Sequence, residues 1–380
     1  MTEPRRHERA GAILTIDLAA IRANYRLLRE RLGGVRCAAV VKADAYGLGA
    51  ARVAPALAAA GCRDFFVAHL EEGMALRPAL PKDAALYVLH GALPGTEAEF
   101  LAHDLVPVLN SLAQIAGWTA LARARGRALP AILQLDTGMS RLGLAADEAK
   151  ALSAEPRRLE GVAPVYVMSH LACAEQRGHA MNGEQLARFR ALREALPAGL
   201  RQAPASFANS SGIFLGADYH FDLARPGAAL YGVAPILGEA NPLASAVRLE
   251  GKVVQLREIP PGASVGYGAR WRAEGTRRIA TVAVGYADGF LRSLSNRAVA
   301  HFGDTPLPLV GGVSMDTITL DASALAPDAL APGSLVELLG PHHGVDALAA
   351  EAGTIGYEIL TSLGRRYFRR YRDGEARDSS

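Results

Sequence analysis

Lys42 stands between an apolar run and a glycine-punctuated turn in the stretch AAVVKADAYGLGA, residues 38–50. The run from Ala38 to Val41 is typical of a strand that is covered on both faces. An ammonium group is rarely buried without a partner. Lys42 therefore either reaches solvent at the end of the strand or serves as an amine in a pocket, and only the rest of the sequence can decide between these interpretations.

Other polar side chains also follow apolar runs. The full set is Lys42, His90, Asp136 with Arg141, His170, Asn209 with Ser210, and Arg225. In a closed barrel of parallel strands, the carboxyl ends of the strands meet at one mouth, which is where the chemistry of such proteins takes place. A lone histidine such as His170 is more often a satisfied core or rim residue, but several converging strand ends favour a functional site. The short turn at Gly227 and Ala228 has backbone N–H groups that are suited to an anion such as phosphate.

Strands and helices alternate along the first part of the chain. Asp17 is placed to cap a helix that Gly33 ends. Eight strand candidates follow the same alternation, at 38–43, 65–68, 85–90, 105–110, 131–136, 162–170, 205–209 and, more weakly, 223–232. This pattern predicts an α/β fold that begins with a (β/α)8 TIM barrel.

The pattern of apolar and turn-forming residues changes after about Pro242. From there the runs are β-rich and broken by glycine and proline, with helical periodicity only in VDALAAEAG, residues 345–353. We predict a barrel over residues 12–244 and a C-terminal all-β domain over 245–380, joined by an N-terminal strand at 1–11.

Composition excludes several classes of protein. The chain has 380 residues, 50% of them hydrophobic, and a formal net charge of only +3, so we expect neither nucleic acid nor a membrane as a partner. The basic stretch RRYFRRYR near the C-terminus is predicted to be a solvated helix. Three widely spaced cysteines form no disulfide or metal-ligand pattern, and no signal peptide is evident, which favours a cytoplasmic protein without a metal.

Ten motifs occur along the chain in a fixed order. They are VVKADAYGLGA, LEEGMALR, LQLDTGMSRLGL, MSHLACAE, FANSSGIF, ARPGAALYG, SVGYGA, VGYADG, VGGVSMD and TIGYEI. Their types and order resemble those of alanine racemases, the pyridoxal-phosphate enzymes with a barrel and a β-domain. The resemblance covers residues from about 11 to about 370. It implies a homodimer whose active sites are shared across the interface and whose substrate is a small amino acid.

The resemblance also implies a role for each motif residue. Lys42 would bind pyridoxal 5'-phosphate covalently, and burial would lower the pKa of its amine, as that chemistry requires. The residues implied to bind the cofactor phosphate are Tyr46, Ser210, Gly227, Ala228 and Tyr357, with Asn209 adjacent. Arg141 and the backbone of Met315 would contact the substrate carboxylate, while Tyr286 and Asp316 would lie at the entrance.

Racemisation needs a base on each face of the substrate. The resemblance makes Lys42 one base and Tyr267, from the other subunit, the second. A free phenol has a pKa near 10, so Tyr267 needs a hydrogen-bonding neighbour, and His170 is the implied partner. Arg225 would face the ring nitrogen of the cofactor. Since an arginine cannot accept that proton, the nitrogen would stay unprotonated, which favours rapid reprotonation of the substrate over transamination.

Gln134 departs from the family pattern. Many members carry a carbamylated lysine there, an anion that orients the arginine corresponding to Arg141, and a neutral amide cannot pair in the same way. A bound anion or a different arginine pose would have to take its place. A racemase of broader specificity, such as for serine, is therefore an alternative, and the sequence does not separate a biosynthetic from a catabolic role. A non-catalytic pyridoxal-phosphate carrier is disfavoured by Tyr267, and a decarboxylase by Arg225.

Overall fold

The computed structural model describes residues 4–374. The chain begins with helix α1 (Pro4–Arg9) and strand β1 (Ala12–Asp17). The segment that was predicted as a strand at 1–11 is thus helical over residues 4–9, and residues 1–3 lie outside the described part. The strand starts only where the apolar, β-branched run AILTID begins.

A closed parallel barrel follows, as the alternation predicts. Its strands are β2 (Arg36–Cys37), β3 (Ala39–Val40), β4 (Asp64–Val67), β5 (Ala85–Val88), β6 (Val106–Leu109), β7 (Leu129–Gln134), β8 (Val162–Met168), β9 (Ala205–Asn209) and β10 (Leu223–Arg225). The short strands β2 and β3 are two halves of one barrel strand. Strand β2 pairs with β10 and β3 pairs with β4, both in parallel. The two ends of the sheet therefore meet, and the barrel has eight strands when β2 and β3 are counted as one.

Helices cover the outside of the barrel. They are α2 (Leu18–Arg31), α4 (Ala50–Ala59), α5 (Leu70–Leu76), α6 (Glu97–Ala102), α7 (Leu112–Arg125), α8 (Ala146–Ala154), α9 (Ala180–Glu194), α10 (Ala198–Arg201) and α11 (Gly212–Leu215), with α3 (Lys42–Tyr46) a tight turn at the mouth. The first of them is capped as predicted: the Asp17 carboxylate accepts a hydrogen bond of 2.9 Å from the Ala20 N–H. This bond satisfies one of the otherwise unpaired N–H groups at the helix start.

Strand β1 does not belong to the barrel. It pairs with strands of the C-terminal domain, antiparallel to β11 (Val247–Ile259) and parallel to β19 (Phe368–Arg372). The predicted start of the barrel at residue 12 is therefore wrong, and the barrel begins with α2. The physical reason is that backbone pairing, which a local pattern does not encode, assigns a strand to its sheet.

The C-terminal domain is a mostly antiparallel sheet. Between β11 and β19 come β12 (Ser264–Val265), β13 (Trp271–Arg272), β14 (Arg277–Val282), β15 (Val299–Phe302), β16 (Thr305–Pro308), β17 (Ile318–Asp321) and β18 (Leu335–Leu339), and then helices α12 (Val345–Ala352) and α13 (Gly356–Ser362). The helical periodicity at 345–353 is confirmed by α12. The predicted solvated helix at the basic stretch is wrong, because this stretch forms β19 against β1.

One hydrophobic core runs through the barrel and into the sheet domain. It includes Tyr25 and Leu28 of α2, together with Leu249 of β11 and Leu339 of β18. The two domains are thus packed together, and the barrel mouth is held in a definite position relative to the sheet. Within residues 4–374, no helix combines the length and the apolar character needed to cross a membrane.

Candidate active site

Lys42 lies at the mouth of the barrel, directly after the strand half β3 and Val41. The turn that follows it is left-handed: Ala43, Asp44, Ala45 and Tyr46 have φ between 53° and 55°. Residues other than glycine rarely adopt this conformation, because the Cβ atom approaches the following carbonyl. A run of them needs support from the surrounding structure.

Glu72 of α5 provides that support. One carboxylate oxygen accepts a hydrogen bond of 2.6 Å from the Ala43 N–H. The other accepts hydrogen bonds from the N–H groups of Ala68 and His69, at 2.7 Å and 3.0 Å. A single carboxylate therefore joins the lysine turn to the end of the neighbouring strand β4. At the same rim, the ring of His90 packs edge-on against that of His69, with 4.5 Å between centroids.

The environment of Lys42 suits an amine that must lose its proton. Burial and the nearby Arg141 cation lower the pKa of Lys42, and only Glu72 acts in the opposite direction. The expectation that burial depresses this pKa is confirmed. Lys42 is thus partly buried and differs from an ordinary solvated charge.

Arg225 is buried at the end of β10, with 3% of its surface exposed. Its guanidinium donates to the Ser206 hydroxyl, to the Ser169 carbonyl at 2.6 Å, and to Nδ1 of His170 at 3.4 Å. Burial lowers the pKa of Arg225 to about 10, so it stays charged at neutral pH. Its observed partners are neutral acceptors, which leaves a full positive charge at the barrel mouth.

His170 is neutral for a related reason. Burial, followed by the charges of Arg225, Arg141 and Lys42, lowers the pKa of His170 well below its usual value. Because Arg225 can only donate, Nδ1 of His170 must be the acceptor, and the neutral ring then carries its proton on Nε2. The imidazole is thus prepared to donate a hydrogen bond from Nε2.

A second part of the mouth contains hydroxyl groups. The Ser210 hydroxyl oxygen, at the end of β9, accepts hydrogen bonds from the N–H groups of Gly227 and Ala229 at 2.9 Å and 3.2 Å. Its own proton remains free to be donated elsewhere. Asn209 has a structural role, since its amide accepts from the Gly212 N–H at 2.9 Å.

Tyr46 packs over Gly227 and beside Tyr357. A Cβ atom at Gly227 would lie 2.3 Å from the Tyr46 hydroxyl oxygen, so only glycine allows this approach. The Tyr46 and Tyr357 rings are 6.0 Å apart between centroids, and burial raises the pKa of both phenols. Both stay protonated at neutral pH and can donate. The predicted group Tyr46, Ser210, Gly227, Ala228 and Tyr357 thus includes three hydroxyl donors around one turn.

Arg141 is exposed in the loop that follows β7. Oδ1 of Asp136 shapes this loop by accepting from the N–H groups of Gly138, Met139 and Ser140, at 2.8 to 3.1 Å. The Gln134 side chain is buried and donates to the Leu142 carbonyl at 3.2 Å. Because this contact needs a hydrogen-bond donor, the Gln134 amide braces the arginine loop through its backbone.

The remaining predicted residues form a separate group in the sheet domain. Tyr267, Tyr286, Met315 and Asp316 line one open cavity together with Gly312 and Arg292. Tyr267 has 80% of its surface exposed, Met315 54% and Tyr286 43%. All the residues that line this cavity lie between 267 and 317, so the single chain does not bring Tyr267 to the barrel mouth.

Sequence reasoning missed several residues that hold the site. Besides Glu72, buried Gln185 of α9 donates to the Thr137 hydroxyl and the His170 carbonyl at 3.2 Å and 3.0 Å, which ties two mouth loops together. Arg366, within the basic stretch, pairs with Asp288 and Asp316. The Glu72 motif was visible in the sequence, but no local signal identified the partners of Gln185 or Arg366.

Comparison with known proteins shows which family the chain matches. Residues 16–235 match the alanine racemase N-terminal domain, and residues 246–371 match the alanine racemase C-terminal domain. The chain is 54% identical over 365 residues to the catabolic alanine racemase of Mesorhizobium japonicum, covering 96% of this chain and 94% of that protein. It is 52% identical over 375 residues to the alanine racemase of Brucella abortus, with 95% and 94% covered.

Solved structures of alanine racemases share the fold of this chain. The crystal structure of alanine racemase from Bartonella henselae, with covalently bound pyridoxal phosphate, superimposes with a TM-score of 0.91 at 44% identity, covering 96% of this chain and all of that one. The alanine racemase from Streptomyces coelicolor A3(2) gives a TM-score of 0.91 at 34% identity, covering 97% of this chain and 99% of that one. The similarity therefore extends over both domains.

Proposed function

The chain belongs to the alanine racemase family, and from this premise we propose that Lys42 and Tyr267 are the two bases with which it interconverts L-alanine and D-alanine. It is an isomerase that depends on pyridoxal 5'-phosphate. The observation that carries the assignment is the barrel mouth, where Arg225 donates to His170 and the Lys42 amine, whose pKa is lowered, lies close enough to lower the pKa of His170.

The mouth fits the cofactor in charge and shape. Tyr46, Ser210 and Tyr357 would hold the phosphate with neutral hydroxyl donors, and Gly227 with Ala228 would let its oxygens approach the backbone. Lys42 would hold the cofactor covalently, and Arg225 would donate to its ring nitrogen. When bound, pyridoxal phosphate draws electrons from the substrate and so makes the α-proton removable.

The protein supplies the two proton-transfer groups. The Lys42 amine, with its lowered pKa, takes or returns the α-proton on one face of the substrate. We assign the opposite face to the Tyr267 hydroxyl. The Nε2–H of His170 is oriented by Arg225 and would donate to that hydroxyl, which stabilises the phenolate while the proton is away. Arg141 and the Met315 backbone would bind the substrate carboxylate, with Tyr286 and Asp316 at the entrance.

The active site requires two subunits. Within one chain, Tyr267 and Met315 are exposed on a cavity that contains no barrel residue. Large exposed apolar side chains that cluster in this way mark interaction surfaces. A homodimer in which the sheet domain of each subunit covers the barrel mouth of the other would bury them and unite both bases.

We also propose the setting of the reaction. Two of the three free cysteines, Cys37 and Cys62, are buried without a disulfide, which suits a reducing cytoplasm. There the product would supply D-alanine for peptidoglycan, or the enzyme would serve alanine catabolism. We place the domain boundary between residues 244 and 245, in the stretch just before β11.

Replacing Lys42 by alanine tests the assignment. The Lys42→Ala enzyme should lose the visible absorbance of its covalently held cofactor and at least about a thousandfold in racemisation rate, since it lacks both the anchor and a base. The measurements are the absorption spectrum and the rate of chirality change with L-alanine. Lys82→Ala, at an exposed lysine, is the matched control. An unchanged spectrum in the Lys42 variant would refute the assignment.

A further inference from the structure

The basic stretch near the C-terminus is a structural brace and not a solvated tail. Its strand β19 lies beside β1 at the edge of the sheet, and the residues just before it, 365–367, form a bend. Two of its arginines, Arg366 and Arg369, reach different parts of the molecule. We call residues 364–369 the C-terminal brace.

Arg366 bridges two loops of the sheet domain. Its Nε and Nη2 bind the two carboxylate oxygens of Asp288 at 2.6 Å and 2.8 Å, and its Nη1 binds Asp316 at 2.7 Å. Asp288 is buried, with 5% of its surface exposed, and also accepts from the Gly285 N–H at 2.9 Å. Because a guanidinium is planar and rigid, it sets the distance between the two carboxylates.

These two loops carry the substrate-side residues of the proposed site. Tyr286 donates its N–H to the Ser314 carbonyl, and Ala287 donates to the Met315 carbonyl, both at 3.0 Å. A Cβ atom at Gly285 would lie 2.3 Å from the Met315 oxygen, so the loops are in direct backbone contact. Movement of either loop would therefore shift Tyr286 and Met315 together.

Arg369 holds the cofactor-side turn instead. Its Nη1 donates to the Gly47 carbonyl at 2.5 Å, and its Nη2 donates to the Leu363 and Gly364 carbonyls at 3.3 Å. Gly47 ends the left-handed turn of Lys42 and Tyr46. Arg369 thus ties the lysine turn of the barrel to the brace. The Gly364 N–H in turn donates to the Asp288 carbonyl at 2.8 Å.

We propose that Arg366 and Arg369 are positioning residues for different halves of the active site. Arg366 sets the loops that receive the substrate, and Arg369 sets the turn that holds the cofactor. The proposal rests on the site assignments made above. In a shared dimer these halves serve different active sites, so the C-terminal brace links the substrate half of one site to the cofactor half of the other.

Kinetics of single variants test this division. Arg366→Ala should raise the KM for alanine on the order of tenfold while cofactor affinity stays unchanged, because only the substrate loops are displaced. Arg369→Ala should lower cofactor affinity on the order of tenfold, and the KM for alanine should be normal once the cofactor is saturating. Cofactor affinity is measured as the activity of the full-length enzyme against added pyridoxal phosphate.

Conservative variants separate positioning from general stability. Arg369→Lys keeps a donor for the Gly47 carbonyl and should restore most of the cofactor affinity. Arg366→Lys cannot reproduce the two parallel bonds to Asp288 together with the bond to Asp316, so it should keep the raised KM. It also provides the test if Arg366→Ala does not fold. Arg365→Ala is the matched control, since Arg365 is exposed and forms no ion pair with any residue between 4 and 374.

The variant and wild-type assays test different claims. Equal losses of substrate and cofactor affinity in the Arg366 and Arg369 variants, or no loss in either, would overturn the proposal. The wild-type enzyme, assayed in the same series, reports on the proposed function by itself: if it does not racemise alanine, the site assignments fail, whatever the variants do. Racemisation by the wild type without the expected split in the variants rejects only the brace.

Discussion

Arg225 is the residue that we propose to select the chemistry of the barrel mouth. It donates to the Ser206 hydroxyl, the Ser169 carbonyl and His170, and it stays protonated although burial lowers its pKa to about 10. A permanent donor at this position cannot keep a proton on the ring nitrogen of the cofactor. With pyridoxal phosphate bound, Arg225 would therefore favour rapid reprotonation of the substrate carbon, and so racemisation over transamination.

Replacing Arg225 by glutamate reverses this electrostatic environment. Arg225→Glu places an acceptor where the donor stood, so we expect racemisation to slow on the order of a hundredfold and alanine to be converted measurably to pyruvate. Chirality and pyruvate assays on the same sample check both effects. Arg225→Lys, which keeps the positive charge, should form no pyruvate. Normal racemisation without pyruvate in the glutamate variant would contradict the argument.

At the scale of the element, the lysine turn is strained and depends on Glu72. Four successive residues other than glycine, Ala43 to Tyr46, have positive φ, and each such residue costs on the order of 1 kcal/mol or more. Both oxygens of the Glu72 carboxylate are occupied by backbone N–H groups. An amide in its place has only one acceptor oxygen and would set its own N–H against a backbone donor.

Glu72→Gln should therefore loosen the turn without changing any group that reacts. An unsatisfied backbone donor costs about 1–2 kcal/mol, which corresponds to roughly a tenfold loss in rate if the lysine is displaced. We expect lower kcat and faster loss of the cofactor on gel filtration. Glu71→Gln changes the exposed neighbouring carboxylate and should behave as wild type. Wild-type kinetics in both variants would show that the turn holds its shape by itself.

At the scale of the whole molecule, the two proposed bases are separated within one chain. Lys42 lies at the barrel mouth, whereas Tyr267 lines a cavity of the sheet domain and has 80% of its surface exposed. If a second subunit brings them together, each active site of a dimer contains Lys42 from one chain and Tyr267 from the other. A dimer of mixed variants can then regain an intact site.

Mixing two inactive variants tests the shared site. Lys42→Ala and Tyr267→Phe homodimers should each be nearly inactive, because every site lacks one base. After reversible dissociation and mixing, a heterodimer should have one site with both bases intact and one with both altered, so that activity returns to about half of wild type per heterodimer. Heterodimer formation is followed by mass spectrometry. Heterodimers that form without any gain in activity would place both bases on one chain.

The amino-acid sequence by itself determined the order of the elements and the family. Local patterns were sufficient for the capped helix α2, the barrel strands and the position of Lys42, because side-chain periodicity and caps are written in neighbouring residues. The tertiary structure decided which sheet β1 joins, that the basic stretch contains a strand, and which partners Glu72, Gln185 and Arg366 bind. It also separated Tyr267 from Lys42 within the chain. These features depend on hydrogen bonds and ion pairs between residues far apart in sequence, and such pairings have no local periodicity from which they could be predicted.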